Sequence, residues 1–412
     1  MKGKVLLDKN YASTGVAVPE ILLPDTSDFT SWAVVACDQF TSEKEYWETL
    51  RAQTQGKRTA LDLVLPEAYL QKDNSDRINA INQNMKEYLD AGVFRNLGAG
   101  FILVARRTPH TELRLGLMIA VDLEKYSYEK KSDALIRATE GTILDRLPPR
   151  VEIRKNAPLE FPHIMLLVDD AKRTVIEPLY ANRDCLQKVY DFDLNMGGGH
   201  LTGWLVTETE AVTTALSSLA KQSAEKYGSP FLFAVGDGNH SLATAKRCWE
   251  NLKPTLNETE RATHPARFAL CELVNIYDDG LQFEPIHRYV VGVDTAAFMN
   301  NWQDTDQTIR GVLITADGDK QITLSEDIAK AVSKADEYAK QIGYEEIDYV
   351  HGEQNLRTLV QKNKNSAGIL LPAMEKSGLF RSVAANGSLP RKTFSMGEAV
   401  EKRYYVEGKF IQ

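Results

Sequence analysis

Apolar residues in this chain gather in short runs separated by Gly, Pro and Asp, and between the runs lie longer stretches with a 3.6-residue apolar repeat. The runs at 15–23, 32–37, 101–106, 113–121, 204–207, 311–315 and 321–324 predict strands. Turn chemistry predicts four hairpins: 101–106 with 113–121 around Thr108-Pro109-His110, and 164–168 with 174–179 around Asp169-Asp170. The other two are 268–276 with 281–291 across Asp278-Asp279-Gly280, and 403–406 with 409–411 across Glu407-Gly408. Residues 74–89 predict a helix with Ile78, Ile81, Met85 and Leu89 on one face, and 210–227 and 326–342 predict two more. Ser42 and Glu45 have the spacing of a capping box before a further helix. Hairpins between helices predict an α+β fold with mixed, largely antiparallel sheets, not a doubly wound one. A main region over 1–300 and a smaller C-terminal α/β region over 301–412 are expected.

One apolar run ends differently from the rest. Phe231-Leu232-Phe233-Ala234-Val235 leads directly into Gly236-Asp237-Gly238-Asn239-His240-Ser241, after which the composition is that of a helix. A carboxylate, an amide, an imidazole and a hydroxyl thus crowd onto a single strand-to-helix turn. The free N–H groups of a helix start favour anions such as phosphate. Capping by Asp237 or Asn239 is the structural alternative, but capping needs one such residue and not the whole set.

Composition narrows the function classes. The chain has 412 residues, with 43% hydrophobic and 26% charged residues, as in ordinary globular proteins. A net charge of −8 without a basic stripe argues against a nucleic-acid partner. Four cysteines without CxxC spacing predict neither a disulfide framework nor a zinc site, and Cys37 and Cys271 sit in apolar strand contexts. Seven histidines show no HxxxH or HxH pair. No apolar segment approaches membrane-spanning length and the first residues lack a signal-peptide core, so a cytoplasmic protein is expected.

Further polar clusters are candidates for the same site. Glu140-Gly141-Thr142 with Asp145-Arg146 offers a carboxylate for general-base or metal chemistry, against the alternative of a salt-bridged helix end. His287-Arg288 sets an imidazole beside a guanidinium, a pair suited to an anion. Arg391-Lys392 adds two cations, and residues 150–155 add three basic side chains as a phosphate clamp or a solvated face. Gly197-Gly198-Gly199 reads as a flexible linker in preference to a phosphate cradle, since no P-loop Lys-Ser/Thr follows.

Together these residues resemble the family known as domain of unknown function 1015, whose signature is a strand ending in a DGHHR-like turn. Asp237-Gly238-Asn239-His240-Ser241 occupies that position, and Pro285-Ile286-His287-Arg288 is similar to the family's Pro-Thr-His-Arg step. Leu389-Pro390-Arg391-Lys392-Thr393-Phe394 resembles its C-terminal Met-Pro-Pro-Lys-Ser-Thr segment, and Glu140-Gly141-Thr142 and Asp145-Arg146 resemble its Glu-x-Thr and Asp-Arg steps. The turn is also similar to that of the ParB/sulfiredoxin-like superfamily and its archaeal free-serine kinases. The resemblance implies a ParB-like core with additional lobes, Asp237 in the catalytic-carboxylate position, and His240 with the following amides against phosphate. Asn239 replaces the motif's first His, and Ser241 replaces its Arg.

The expected function is phosphoryl transfer to a small hydroxylated metabolite such as serine. Asp237 would be the catalytic carboxylate and Glu140 the alternative base. Gly238, Asn239, His240, Ser241, His287, Arg288, Arg391 and Lys392 would bind phosphate or substrate, with Mg2+ and ATP or ADP as implied cofactors. The alternatives are a phosphatase on a phosphorylated small acid such as phosphoserine, and a non-catalytic nucleotide- or metabolite-binding protein.

Overall fold

The computed structural model describes residues 3–304 and 309–412. They divide into two compact units, one made of residues 1–281 and 398–412 and the other of 282–397. The division falls before Phe283 and not near residue 300, because strand Phe283–Val291 pairs with Glu346–His351 and Ser366–Leu370 inside the second unit.

The first unit is built on a mixed sheet. Its central strands run in the order Gln187–Leu194, Gly199–Val206, Phe101–Arg107, Arg114–Asp122, Phe268–Asn275, Met165–Val168, Phe233–Asp237, Ile136–Ala138, Tyr126–Ser127. Most neighbours are antiparallel, but Met165–Val168 lies parallel to Phe268–Asn275, and Ile136–Ala138 lies parallel to both Phe233–Asp237 and Tyr126–Ser127. Period-two alternation sends Phe101 and Leu103 to one face and Ile102 and Val104 to the other. The first face is covered by the helices Glu210–Tyr227 and Asn239–Leu252 through Leu216, Leu242 and Trp249. The second is covered by Lys44–Gln53 and Ser75–Asp90 through Trp47, Ile81 and Met85, and by Tyr404, Tyr405 and Val406. Because both faces are buried, the inner strands read as unbroken apolar runs.

The second unit is an antiparallel sheet ordered Gly318–Leu324, Ile309–Thr315, Ser366–Leu370, Phe283–Val291, Glu346–His351, with helices Ile328–Ile342, Glu353–Lys362 and Leu379–Asn386.

Of the four expected hairpins, the one at Thr108-Pro109-His110 forms, pairing Ile102–Arg106 with Arg114–Met118. The others do not. Residues 174–179 lead into the short helix Glu177–Ala181, because the Asp170 carboxylate accepts the Thr174 and Val175 N–H groups and shapes a loop. Phe268–Asn275 and Phe283–Val291 enter different sheets. Tyr404–Tyr405 pairs with Val34–Val35, and Lys409–Phe410 with Leu159–Glu160. Residues 29–32 are helical, so the strand expected at 32–37 shrinks to Val34–Val35. The Ser42–Glu45 box is also not made, since Lys44–Gln53 starts after Glu43 without a side-chain cap. Gly197-Gly198-Gly199 is neither linker nor cradle. It closes the hairpin of Gln187–Leu194 and Gly199–Val206, where a Cβ on Gly199 would stand 2.0 Å from the Arg107 carbonyl oxygen.

Candidate functional site

The strand Phe233–Asp237 ends at the expected turn, and Gly238 bends the chain with φ +76° into the helix Asn239–Leu252. Gly238 is the N-cap residue, and no side chain caps this helix start. Neither Asp237 nor Asn239 therefore performs the capping that a purely structural role requires. Asp237 Oδ1 instead accepts the Gly238 N–H at 2.9 Å, and Oδ2 faces Lys402 Nζ at 3.1 Å.

Glu140 follows two residues after Ile136–Ala138, the strand that runs parallel to Phe233–Asp237. Phe233, Ala234 and Val235 lie level with Ile136, Arg137 and Ala138 in these strands. Thr139 Oγ1 holds the two strand ends together by donating to the Val235 carbonyl at 2.6 Å. The loop after Glu140 is tied to the helix start by the Ile143 N–H, which donates to His240 Nε2 at 3.3 Å. Asn239 Oδ1 and Thr142 Oγ1, which flank this junction, are buried without a hydrogen-bond partner.

Ser241 turns toward a second group. Its Oγ lies 2.9 Å from His163 Nε2, and His163 Nδ1 lies 2.7 Å from the Tyr405 hydroxyl. The Cys37 N–H donates to the Tyr405 oxygen at 3.0 Å, and Asp38 Oδ2 is 3.6 Å from His163 Nε2. Burial alone raises the Asp38 carboxyl, but His163, a hydrogen bond from Gln39 and Lys402 outweigh it and hold it below its usual value.

The remaining expected residues lie in the second unit. His287 is buried on strand Phe283–Val291, where its Nδ1 accepts the Leu371 N–H at 3.2 Å. Burial pushes its pKa down to about 4, so the ring is neutral at pH 7. Arg288 is fully buried. Its guanidinium is spent on Asp336 at 2.7 Å and on the carbonyls of Ile286, Lys392 and Arg391, with the Tyr349 ring 4.9 Å away. Arg391 and Lys392 are exposed, and their backbone carbonyls hold Arg288 in place. The basic group at 150–155 is no clamp: Arg150 pairs with Glu67, Arg154 with Glu160, and Lys155 with Glu152.

Lys402, His163, Tyr405 and Asp38 are the site residues that local sequence patterns did not single out. Their only signal is polarity out of place: a His inside Phe161-Pro162-His163-Ile164, and Glu401-Lys402-Arg403 leading into a buried aromatic pair.

Among the described residues, no group of three or more His, Cys, Asp or Glu side chains is arranged to hold a metal ion. No described helix is long and apolar enough to cross a membrane.

No curated protein matches the chain. Among solved structures it is similar to a mutant free serine kinase in complex with AMP, at 10% identity and a TM-score of 0.39, covering 74% of this chain and 95% of that one. It is also similar to SbnI with a C-terminal truncation from Staphylococcus aureus, at 10% identity and a TM-score of 0.35, covering 68% and 82%. A conserved hypothetical protein from Pyrococcus furiosus matches at 11% identity and a TM-score of 0.34, covering 68% and 90%. The profile of the family described as Protein of unknown function (DUF1015) matches residues 21–381, and the chain belongs to that family.

Proposed function

We propose that the first unit is a phosphoryl-transfer enzyme acting on a small hydroxylated metabolite such as serine, with a nucleotide phosphate seated at the Asp237–Ser241 turn. The observation that carries this reading is the Asp237 carboxylate, which ends its strand directly before an uncapped helix start and faces Lys402 without capping that helix. Phosphoryl transfer asks a protein mainly for positioning and for neutralisation of spreading negative charge. The first-turn N–H groups of Asn239–Leu252 favour a phosphate oxygen. Lys402 supplies a cation beside Asp237. Asp237 orients and deprotonates the attacking hydroxyl, and Glu140 is the alternative base.

Mg2+ shared with nucleotide phosphates needs only one or two carboxylates from the protein, so Asp237, with Glu140 as the second candidate, would hold it without a dedicated protein cage. When bound, it neutralises phosphate charge. The unpartnered Asn239 Oδ1 and Thr142 Oγ1 are spare polar groups at the same junction.

Purified protein incubated with ATP or ADP, Mg2+ and serine, followed by 31P NMR, tests the reading. Phosphoserine formation supports it. Phosphate release from phosphoserine without nucleotide assigns the phosphatase alternative, and a nucleotide-induced thermal shift without turnover assigns the binding-protein alternative. Absence of both turnover and thermal shift overturns the site.

A further inference from the structure

Behind the turn lies a cavity of about 160 Å3 that the phosphoryl-transfer reading does not use. Its wall is mostly apolar, from Leu63, Leu65, Met85, Ile153 and Leu159, and its charged members Arg150 and Arg154 are neutralised by Glu67 and Glu160. Ser241 and His163 both line it.

We propose that Ser241 is a nucleophile activated by His163, and that this cavity takes the acyl group of a small carboxylic ester. The order of contacts is that of an activated serine: Ser241 Oγ at 2.9 Å from His163 Nε2, and His163 Nδ1 at 2.7 Å from a hydroxyl that orients the ring. Tyr405 accepts the Cys37 N–H and, in this arrangement, the His163 Nδ1–H, which leaves the Nε2 lone pair facing Ser241. The serine stands on the first turn of a helix whose start carries no side-chain cap, so developing negative charge on the substrate oxygen meets free backbone N–H groups. Asp38 Oδ2, 3.6 Å from Nε2, stabilises the imidazolium formed when His163 takes the proton. A cavity with apolar walls and balanced charges favours a short aliphatic or aromatic acyl group over an anion.

The steps balance without another reactant than water. The Ser241 Oγ–H proton passes to His163 Nε2 as the Oγ–C bond forms at the ester carbonyl. The C–O bond to the alcohol breaks, and the alcohol leaves with the proton from Nε2. Water then gives a proton to Nε2 and its oxygen to the acyl carbon, and the carboxylic acid departs as Ser241 Oγ recovers the proton.

Diisopropyl fluorophosphate, added without nucleotide or metal, reports on Ser241 independently of any phosphoryl transfer at Asp237. The expected result is one adduct per chain, located on Ser241 by peptide mass spectrometry. It is lost in Ser241→Ala and forms at least ~100-fold more slowly in His163→Gln, the lower end of general-base effects. Ser241→Ala changes one small hydroxyl, and its thermal midpoint is measured alongside so that lost labelling is separated from lost folding. No adduct on the folded wild type, an adduct on another residue, or labelling unaffected by His163→Gln overturns the proposal.

Discussion

Lys402 Nζ lies 3.1 Å from Asp237 Oδ2, so the C-terminal segment supplies a cation to a turn far from it in sequence. Asp237 is part-exposed and does not cap its helix. An Asn oxygen at this position still accepts the Gly238 N–H, so losing the charge costs little stability. We expect Asp237→Asn to lower phosphoryl transfer at least ~100-fold while barely moving the thermal midpoint. Parallel turnover and calorimetry check this, and a variant that unfolds instead would return Asp237 to a structural role.

Lys402→Met should act differently. Removing a cation from an anion site weakens binding of the phosphate donor by about tenfold, roughly 1.4 kcal/mol. The expected signature is a raised KM for nucleotide, with a smaller salt dependence of binding than in the wild type. Titrations at low and high ionic strength measure both.

Gly238→Ala tests the turn itself. At φ +76° a side chain is strained, and a Cβ here would meet Ile164 Cα at 3.0 Å and Cγ1 at 3.2 Å. The left-handed conformation alone costs about 1–2 kcal/mol in a non-glycine residue. Urea denaturation should show at least that loss, together with lost nucleotide binding, because the helix start is displaced.

Local pattern carried the sequence reading as far as local contacts decide structure. The helix at 75–90 and the hairpin at Thr108-Pro109-His110 follow from periodicity and turn chemistry within a short window. The Asp237 turn was legible for the same reason, since its chemistry is contiguous. Asp278-Asp279-Gly280 shows the limit. Asp278 accepts the Gly280 N–H at 2.8 Å and also the distant Leu115 N–H at 3.0 Å, so hairpin-like residues anchor a loop instead. Likewise Gly408 exchanges backbone hydrogen bonds with Leu22, and Glu407 is held by Arg403 and Tyr190. Lys402 and His163 were not singled out because the groups they meet at the turn, Asp237 and Ser241, lie far from them in sequence.

Arg403 holds together a buried charge cluster, pairing with Glu272 at 2.9 Å and with Glu407, all three side chains nearly free of solvent. Burial by itself raises the Glu272 carboxyl, but the guanidinium groups of Arg403, Arg114 and Arg106 outweigh it and hold it below the usual 4.5. Arg403→Met takes the shared ion-pair partner from two buried carboxylates and should cost about 3–5 kcal/mol. A carboxylate with a lowered folded pKa contributes stability that is complete above its unfolded value. The Glu272 contribution should therefore be constant from pH 7 to about 5, then fall away below 4.5 as pH drops through the folded value. Urea midpoints across that range show this, and Glu272→Gln should remove its share of the acid-side slope.

His287 carries a pH dependence at a higher range. Its pKa is pushed from 6.5 down to about 4, first by burial and then by the neighbouring Arg288 and His351, against the pull of Glu353. The unfolded chain therefore binds a proton that the folded chain refuses between these values, so stability rises with pH across the window. The contribution is complete above pH 6.5 and is lost as pH falls toward 4, a change of roughly 3 kcal/mol. His287→Asn keeps a side-chain oxygen as acceptor for the Leu371 N–H that His287 Nδ1 now receives. That variant should flatten the pH profile of urea unfolding between 4 and 6.5. It should also leave nucleotide binding at the Asp237 turn unchanged, because a buried, neutral imidazole has no charge to offer phosphate. A loss of nucleotide affinity in His287→Asn at pH 7 would instead place this ring among the phosphate ligands.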